Sequence, residues 1–266
     1  MTRARDEGRL RVHPGFASQF LSSKRPLAVY VPPGYAETDR RYAVLYMQDG
    51  QNLFDPATAF GGQDWRADIT ADELICRGEI EPLIIVGVYN TGRHRISEYT
   101  PTRDGRTRKG GKAERYARML AREIKPFIDR EYRTLRRAED TGAGGSSLGG
   151  LVSLLAGLEY PRVFGRLAVI SPSVWWHGRS ILRLVETARV TARPRIWLDI
   201  GTAESHAAGE IVADARLLRD ALLEKGWRAE EDLVYREFEG AGHCEGAWGA
   251  RFGDVLRYLF PSRRVL

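Results

Sequence analysis

Three residues of the sequence have the types and the chain order that acyl transfer needs: Ser147, Glu204 and His243. Ser147 sits in the middle of Gly145-Ser-Ser-Leu-Gly149, a G-x-S-x-G pattern whose small residues let a strand turn sharply into a helix with the serine over a cleft. Alone, the pattern also fits a flexible glycine-rich turn. A serine hydroxyl is inert at its free pKa, so it needs a histidine to take its proton and a carboxylate to orient that histidine. His243 ends a Gly-Ala-Gly-His stretch directly before a helical pattern, whereas His13, His94, His177 and His206 lie in less telling contexts. For the acid, two candidates stand. Asp199 lies inside a strand pattern and could face either way, and Glu204 lies in the loop that follows, from which a side chain can reach across, so Glu204 is favoured.

The negative oxygen of a tetrahedral intermediate also needs donors aimed at it. The N–H of Leu148 follows the nucleophile at a helix start, and the N–H of Gln51, in the Asp49-Gly50-Gln51 loop after an earlier strand, is the expected second donor. For substrate contacts, Asp49 and Asn52 lie on that loop, and Trp65, Tyr99, Trp175 and Trp176 are candidate pocket walls, though each could equally be core. Arg93 and Arg95, with Glu98, could recognise an anionic or hydroxylated ligand, and solvated loop charges are the alternative. Glu245, after His243, reads as a charge suited to a helix N-terminus.

These residues need strands that end beside one another. Residues 27–32, 42–47, 83–88, 166–171, 195–200 and 232–238 read as strands, several of them continuously apolar, as in a parallel sheet buried on both faces. Helical spacing marks residues 67–77, 112–132, 148–158, 181–188, 210–225 and 246–259, and Pro126 is placed to kink the second of these. Residues 139–145 must be the central strand if the serine motif is real, although their propensity for a strand is poor. Residues 89–111 form a long irregular loop near the site, a candidate lid. Strands alternating with helices predict one α/β domain over residues 1–266, with residues 1–25 an N-terminal extension or first strand, and the chemistry beyond the carboxyl ends of the strands.

Composition narrows the classes further. The apolar runs are too short to span a bilayer, and the N-terminus carries charges where an export signal needs an apolar stretch, so a cytoplasmic location is expected. The formal charge of +6 is spread through the chain without a stacking platform or recognition-helix pattern, which argues against nucleic acid. Two cysteines, Cys76 and Cys244, read as free thiols, and neither a metal nor another cofactor is expected. A small-molecule ester is the expected partner, and a homodimer is compatible with the sequence.

Seven stretches taken together resemble the esterase D family of α/β-hydrolases, which includes enterochelin esterases, feruloyl esterases, S-formylglutathione hydrolases and mycolyltransferases. They are Val31-Pro-Pro-Gly-Tyr35, Val44-Leu-Tyr-Met-Gln-Asp-Gly-Gln-Asn-Leu-Phe-Asp55, Glu98-Tyr-Thr-Pro101, Gly145-Ser-Ser-Leu-Gly-Gly150, Ser171-Pro-Ser-Val-Trp-Trp176, Gly201-Thr-Ala-Glu204 and Gly242-His243. The resemblance implies an α/β-hydrolase fold with a mostly parallel sheet, Ser147 as nucleophile, His243 as base, Glu204 as acid, and the Gln51 and Leu148 amides as the oxyanion hole. It also implies ester hydrolysis through an acyl-enzyme, and the expected cytoplasmic location favours siderophore esters or small acyl conjugates over polysaccharide-linked feruloyl esters. Acyl transfer and a non-catalytic binding role are the alternatives. Family members usually carry His where Gln48 stands.

Overall fold

The computed structural model describes residues 9–204 and 208–262. Its strands are β1 (Leu10–Phe16), β2 (Arg25–Tyr30), β3 (Ala43–Gln48), β4 (Leu83–Val88), β5 (Thr141–Ser146), β6 (Arg166–Ile170), β7 (Arg195–Gly201) and β8 (Leu233–Phe238). They form one sheet in the order β1-β2-β4-β3-β5-β6-β7-β8. The pairs β1–β2 and β2–β4 are antiparallel and every later pair is parallel. The expected first strand within residues 1–25 is thus β1, while residues 1–8 and His206 lie outside the described residues.

The helices are α1 (Ala67–Cys76), α2 (Arg95–Tyr99), α3 (Ala113–Met119), α4 (Lys125–Glu131), α5 (Leu148–Glu159), α6 (Trp176–Thr187), α7 (Ala208–Glu224) and α8 (Glu245–Leu259). They cover both faces of the sheet, which is why β3 and β4 read as unbroken apolar runs. In β3, Val44 and Tyr46 face the core under α3 to α7, and Ala43, Leu45 and Met47 face the core under α1 and α8. Burying these side chains on both faces supplies most of the driving force, at about 25 cal/mol per Å² of apolar surface.

Three elements differ from expectation in instructive ways. The central strand is β5, all of it buried, and its poor propensity reflects the space available: a Cβ at Gly144 would lie 2.6 Å from Ala168 Cβ and 2.9 Å from Met47 Sδ. The helix expected over 112–132 is continuous but widens into a π-helical turn at Leu120–Ile124 before Pro126, which has no N–H for the preceding turn's carbonyl. Residues 89–111 are not wholly irregular, because they carry α2. Its Glu98 is held by the buried Arg25 of β2 through contacts of 3.1 and 3.2 Å, so charge pairing anchors this segment to the sheet.

Both rims of the sheet are irregular or charged. The register of β1 against β2 shifts between His13 and Phe16, around Pro14. On β8, the exposed Arg236 and Glu237 form paired contacts with Glu230 and Arg216. Cys76 and Cys244 are exposed free thiols. No helix among the described residues is long and apolar enough to cross a membrane.

Candidate active site

Ser147 lies between β5 and α5 with φ 58° and ψ −125°, a conformation that costs a non-glycine residue free energy and projects its side chain clear of the sheet. Its hydroxyl is 3.0 Å from His243 Nε2, and His243 Nδ1 is 2.8 Å from Glu204 Oε2. With a carboxylate on Nδ1, that nitrogen carries the proton and Nε2 is left to accept from Ser147. The imidazole is braced on its other side by the Trp248 ring, edge-on at 4.7 Å. The structure therefore brings the three residues together in one hydrogen-bonded series, at the carboxyl ends of β5, β7 and β8.

The acid is fixed from below. Glu204 is buried, which pushes its carboxyl pKa up, but bonds from His243, the Ser171 hydroxyl and the Gly201 N–H outweigh burial and hold it below the usual 4.5. Asp199 faces elsewhere. It pairs with Arg251 at 2.9 Å and accepts from Trp197 Nε1 at 2.6 Å, and burial raises its pKa. Ser171 joins the two carboxylates: its N–H reaches Asp199, its hydroxyl donates to Glu204, and that same oxygen accepts from Trp248 Nε1 at 3.0 Å and Arg251 at 2.5 Å. Ser171 has φ 41°, a second strained backbone position beside the site. Ser173, also buried, places its hydroxyl 3.1 Å from that of Ser147. Since the Ser147 proton points to His243, Ser173 is the donor in this contact. Sequence reasoning gave no role to Ser171, Ser173 or Arg251; the first two lie in the loop after β6, within one of the stretches that carry the family resemblance.

Gln51 sits in a tight 3₁₀ turn, Gly50–Asn52, entered through Asp49 at φ 56°. The turn packs hard on β4, because a Cβ at Gly50 would lie 2.2 Å from the Gly87 carbonyl carbon. Arg95 clamps Asp49 with two contacts of 2.7 and 2.6 Å, and Asn90 adds a third at 2.7 Å. Gln48 is buried and its side chain accepts from Tyr116. The Leu148 N–H opens α5, where first-turn amides have no partner within the helix.

A cleft of about 480 Å³ runs over Ser147 and His243, lined further by Asp49, Gln51, Asn52 and Arg95. Other expected substrate contacts do not line it. Tyr99 is buried, with its hydroxyl accepting from the Asp49 N–H at 3.2 Å; Glu98 is buried against Arg25; and Trp65 is buried, donating to Glu245. Arg93 points to His94, and Trp175, half exposed, packs on Trp176 rather than over the cleft. Tyr99, Glu98 and Trp65 are buried in the fold, whereas Arg93 and Trp175 lie exposed outside the cleft. Phe60, 81% exposed at the cleft, is the aromatic wall that the sequence did not single out. Glu245 also differs from expectation: it starts α8, but its carboxylate reaches Asn52 and Trp65.

Residues 18–259 match the family model described as "Putative esterase". The chain belongs to this esterase family. Among curated esterase relatives, the ferri-bacillibactin esterase BesA of Bacillus subtilis is 29% identical over 258 residues, covering 86% of this chain and 84% of BesA. The B. subtilis protein YbbA is 26% identical over 263 residues, covering 94% and 98% of the two chains. The crystal structure of the BES protein from Bacillus cereus superposes with a TM-score of 0.74 at 21% identity, over 95% of each chain. The sheet order and this likeness establish the α/β-hydrolase fold that the sequence led us to expect. Membership of the esterase family makes the reaction the hydrolysis of carboxylic esters.

Proposed function

We propose that this esterase works through an acyl-enzyme on Ser147, with His243 as general base and Glu204 as its orienting carboxylate. The observation that carries the reading is the pair of contacts Ser147–His243 at 3.0 Å and His243–Glu204 at 2.8 Å inside a cleft. Ser147 attacks the ester carbonyl while its proton passes to His243 Nε2, and Glu204 stabilises the imidazolium. The N–H groups of Gln51 and Leu148 receive the oxyanion. His243 then gives its proton to the departing alcohol, and a water activated by the same imidazole releases the acid.

The charges of the cleft bear on the substrate. Arg95, expected with Arg93 to recognise an anionic or hydroxylated ligand, already gives its Nε and one terminal nitrogen to the two carboxylate oxygens of Asp49, and Arg93 donates to His94. We therefore assign a small or medium acyl ester whose groups near Ser147 are polar but uncharged, lying beside Gln51 and flanked by Phe60. The test is turnover of a chromogenic short-chain ester. Ser147→Ala should lower kcat by about 10⁶-fold, and a serine-directed phosphonate should leave one adduct, on Ser147. Full activity in the variant, or an adduct on another serine, would end the reading.

A further inference from the structure

Glu245 opens α8 just beyond His243, yet its carboxylate is not aimed at the helix's own amides. Its Oε1 accepts from Asn52 Nδ2 at 2.8 Å, and its Oε2 accepts from the indole N–H of Trp65. Asn52 belongs to the turn that carries Gln51. The Asn52 Oδ1 holds the Phe60 N–H at 3.0 Å and its carbonyl holds the Trp65 N–H at 2.9 Å. One buried side chain thus ties α8, which follows the His243 loop, to the turn facing Ser147.

The bonding has a built-in requirement. An indole nitrogen can only donate, and the amide nitrogen of Asn52 can only donate, its oxygen being committed to Phe60. A carboxylate answers both with its two oxygens. A carboxylic acid keeps one strong acceptor oxygen and a hydroxyl that accepts only weakly, and a glutamine turns an NH₂ donor toward the other partner, so one of the two bonds is weakened or lost. A buried donor left without a partner is unfavourable, and the turn or the indole has to move.

We propose that Glu245 is a positioning residue: in its anionic form it holds the Gln51 turn against the cleft, and on taking a proton it lets that turn go. This rests on the esterase reading, in which Gln51 N–H serves the oxyanion. The groups facing Glu245 are Asp49 from the turn after β3, Arg95 from α2 and His243 from the loop before α8. Burial is the leading influence and Asp49 acts with it, against the Trp65 bond, Arg95 and His243; together they push the carboxyl up to about 7. The carboxyl is therefore half ionised near neutral pH, and the clamp forms as pH rises through that value. Activity that depends on the clamp rises with it.

The experiment uses full-length protein and two readouts. In ¹⁵N spectra of the Ser147→Ala variant, the Trp65 indole resonance, assigned through Trp65→Phe, and the Gln51 backbone amide should titrate together with a midpoint of about 7. Both should stop titrating when Glu245→Gln is added. On a chromogenic ester, Glu245→Gln should lower kcat roughly tenfold or more at high pH, where wild type holds its clamp, and less at low pH, with KM little changed. Asn52→Ala should give a similar loss, and the double variant should lose no more than either single one, since both act through one contact. A Trp65 resonance that titrates while the Gln51 amide stays still overturns the proposal, as does a Glu245→Gln enzyme with the wild-type pH profile. If wild type turned over no ester while the Gln51 amide still titrated, the esterase mechanism would fall and the clamp would stand.

Discussion

Glu204 and Asp199 are both buried at the end of β7, and their partners separate their roles. Glu204 meets His243, whereas Asp199 is turned to Arg251 and Trp197. Because the folded-state pKa of Glu204 lies below its free value, its ionised bonds contribute stability above pH 4.5 and lose it as pH falls through the depressed pKa. Any acid limb of activity above pH 4.5 therefore belongs to another group. Glu204→Gln should lower kcat by about 10⁴-fold by favouring the wrong imidazole tautomer. Asp199→Asn should leave kcat within about tenfold yet cost about 3 kcal/mol in denaturant unfolding, because Arg251 loses a buried counter-charge. Steady-state kinetics beside urea titrations of both variants check this; the reverse pattern would make Asp199 the acid. Glu204 and His243 were legible because each follows a strand in a short loop. Trp65, Glu98 and Tyr99 were not, since an aromatic or charged loop residue carries no local sign of whether it faces the cleft or the core. Glu245 was read as a helix-start charge for the same reason: its partners Asn52 and Trp65 are remote in sequence.

At the scale of elements, α2 shows how the turn carrying Gln51 is held in place. Its Glu98 is pinned to Arg25 of β2, and its Arg95 reaches forward to Asp49, so α2 spans from the sheet to the turn before Gln51. A segment so anchored does not open as a rigid lid over its whole length. Glu98→Gln would leave the Arg25 guanidinium buried without its charge partner and should destabilise the fold by about 3 kcal/mol. Replacing both residues by methionine should recover most of that loss, as chemical denaturation would show. Most strands were legible as continuous apolar runs because helices cover both faces. The exceptions were β1, an edge strand with mostly exposed residues, and β5, where the neighbouring strands leave room only for small side chains, which a flexible turn also has. The π-helical turn was legible only as a kink at Pro126, since spacing reveals the face of a helix but not the width of one turn.

For the whole molecule, the site depends on loops that come together only when the sheet is complete, from β3, β5, β7 and β8 and from α8. Contacts so distant in sequence form late and fix register across the sheet, which makes the fold slow to form relative to a helical protein of similar size. Such a slow, mostly parallel sheet exposes its outer strands to other chains while it forms. Replacing Pro14 with Val, or Arg236 and Glu237 with Val, should raise concentration-dependent light scattering during refolding while leaving turnover by the folded fraction unchanged.

The displaced register at Pro14 and the charged pairs on β8 have a bearing beyond the single chain. A neighbouring copy cannot extend the sheet past β1 without meeting a strand that lacks an N–H and steps out of line, nor past β8 without desolvating paired guanidinium and carboxylate groups. Growth of the sheet from molecule to molecule, the geometry of fibres, is thereby disfavoured at both rims, and the two edges act as stops that leave the sheet a finite object.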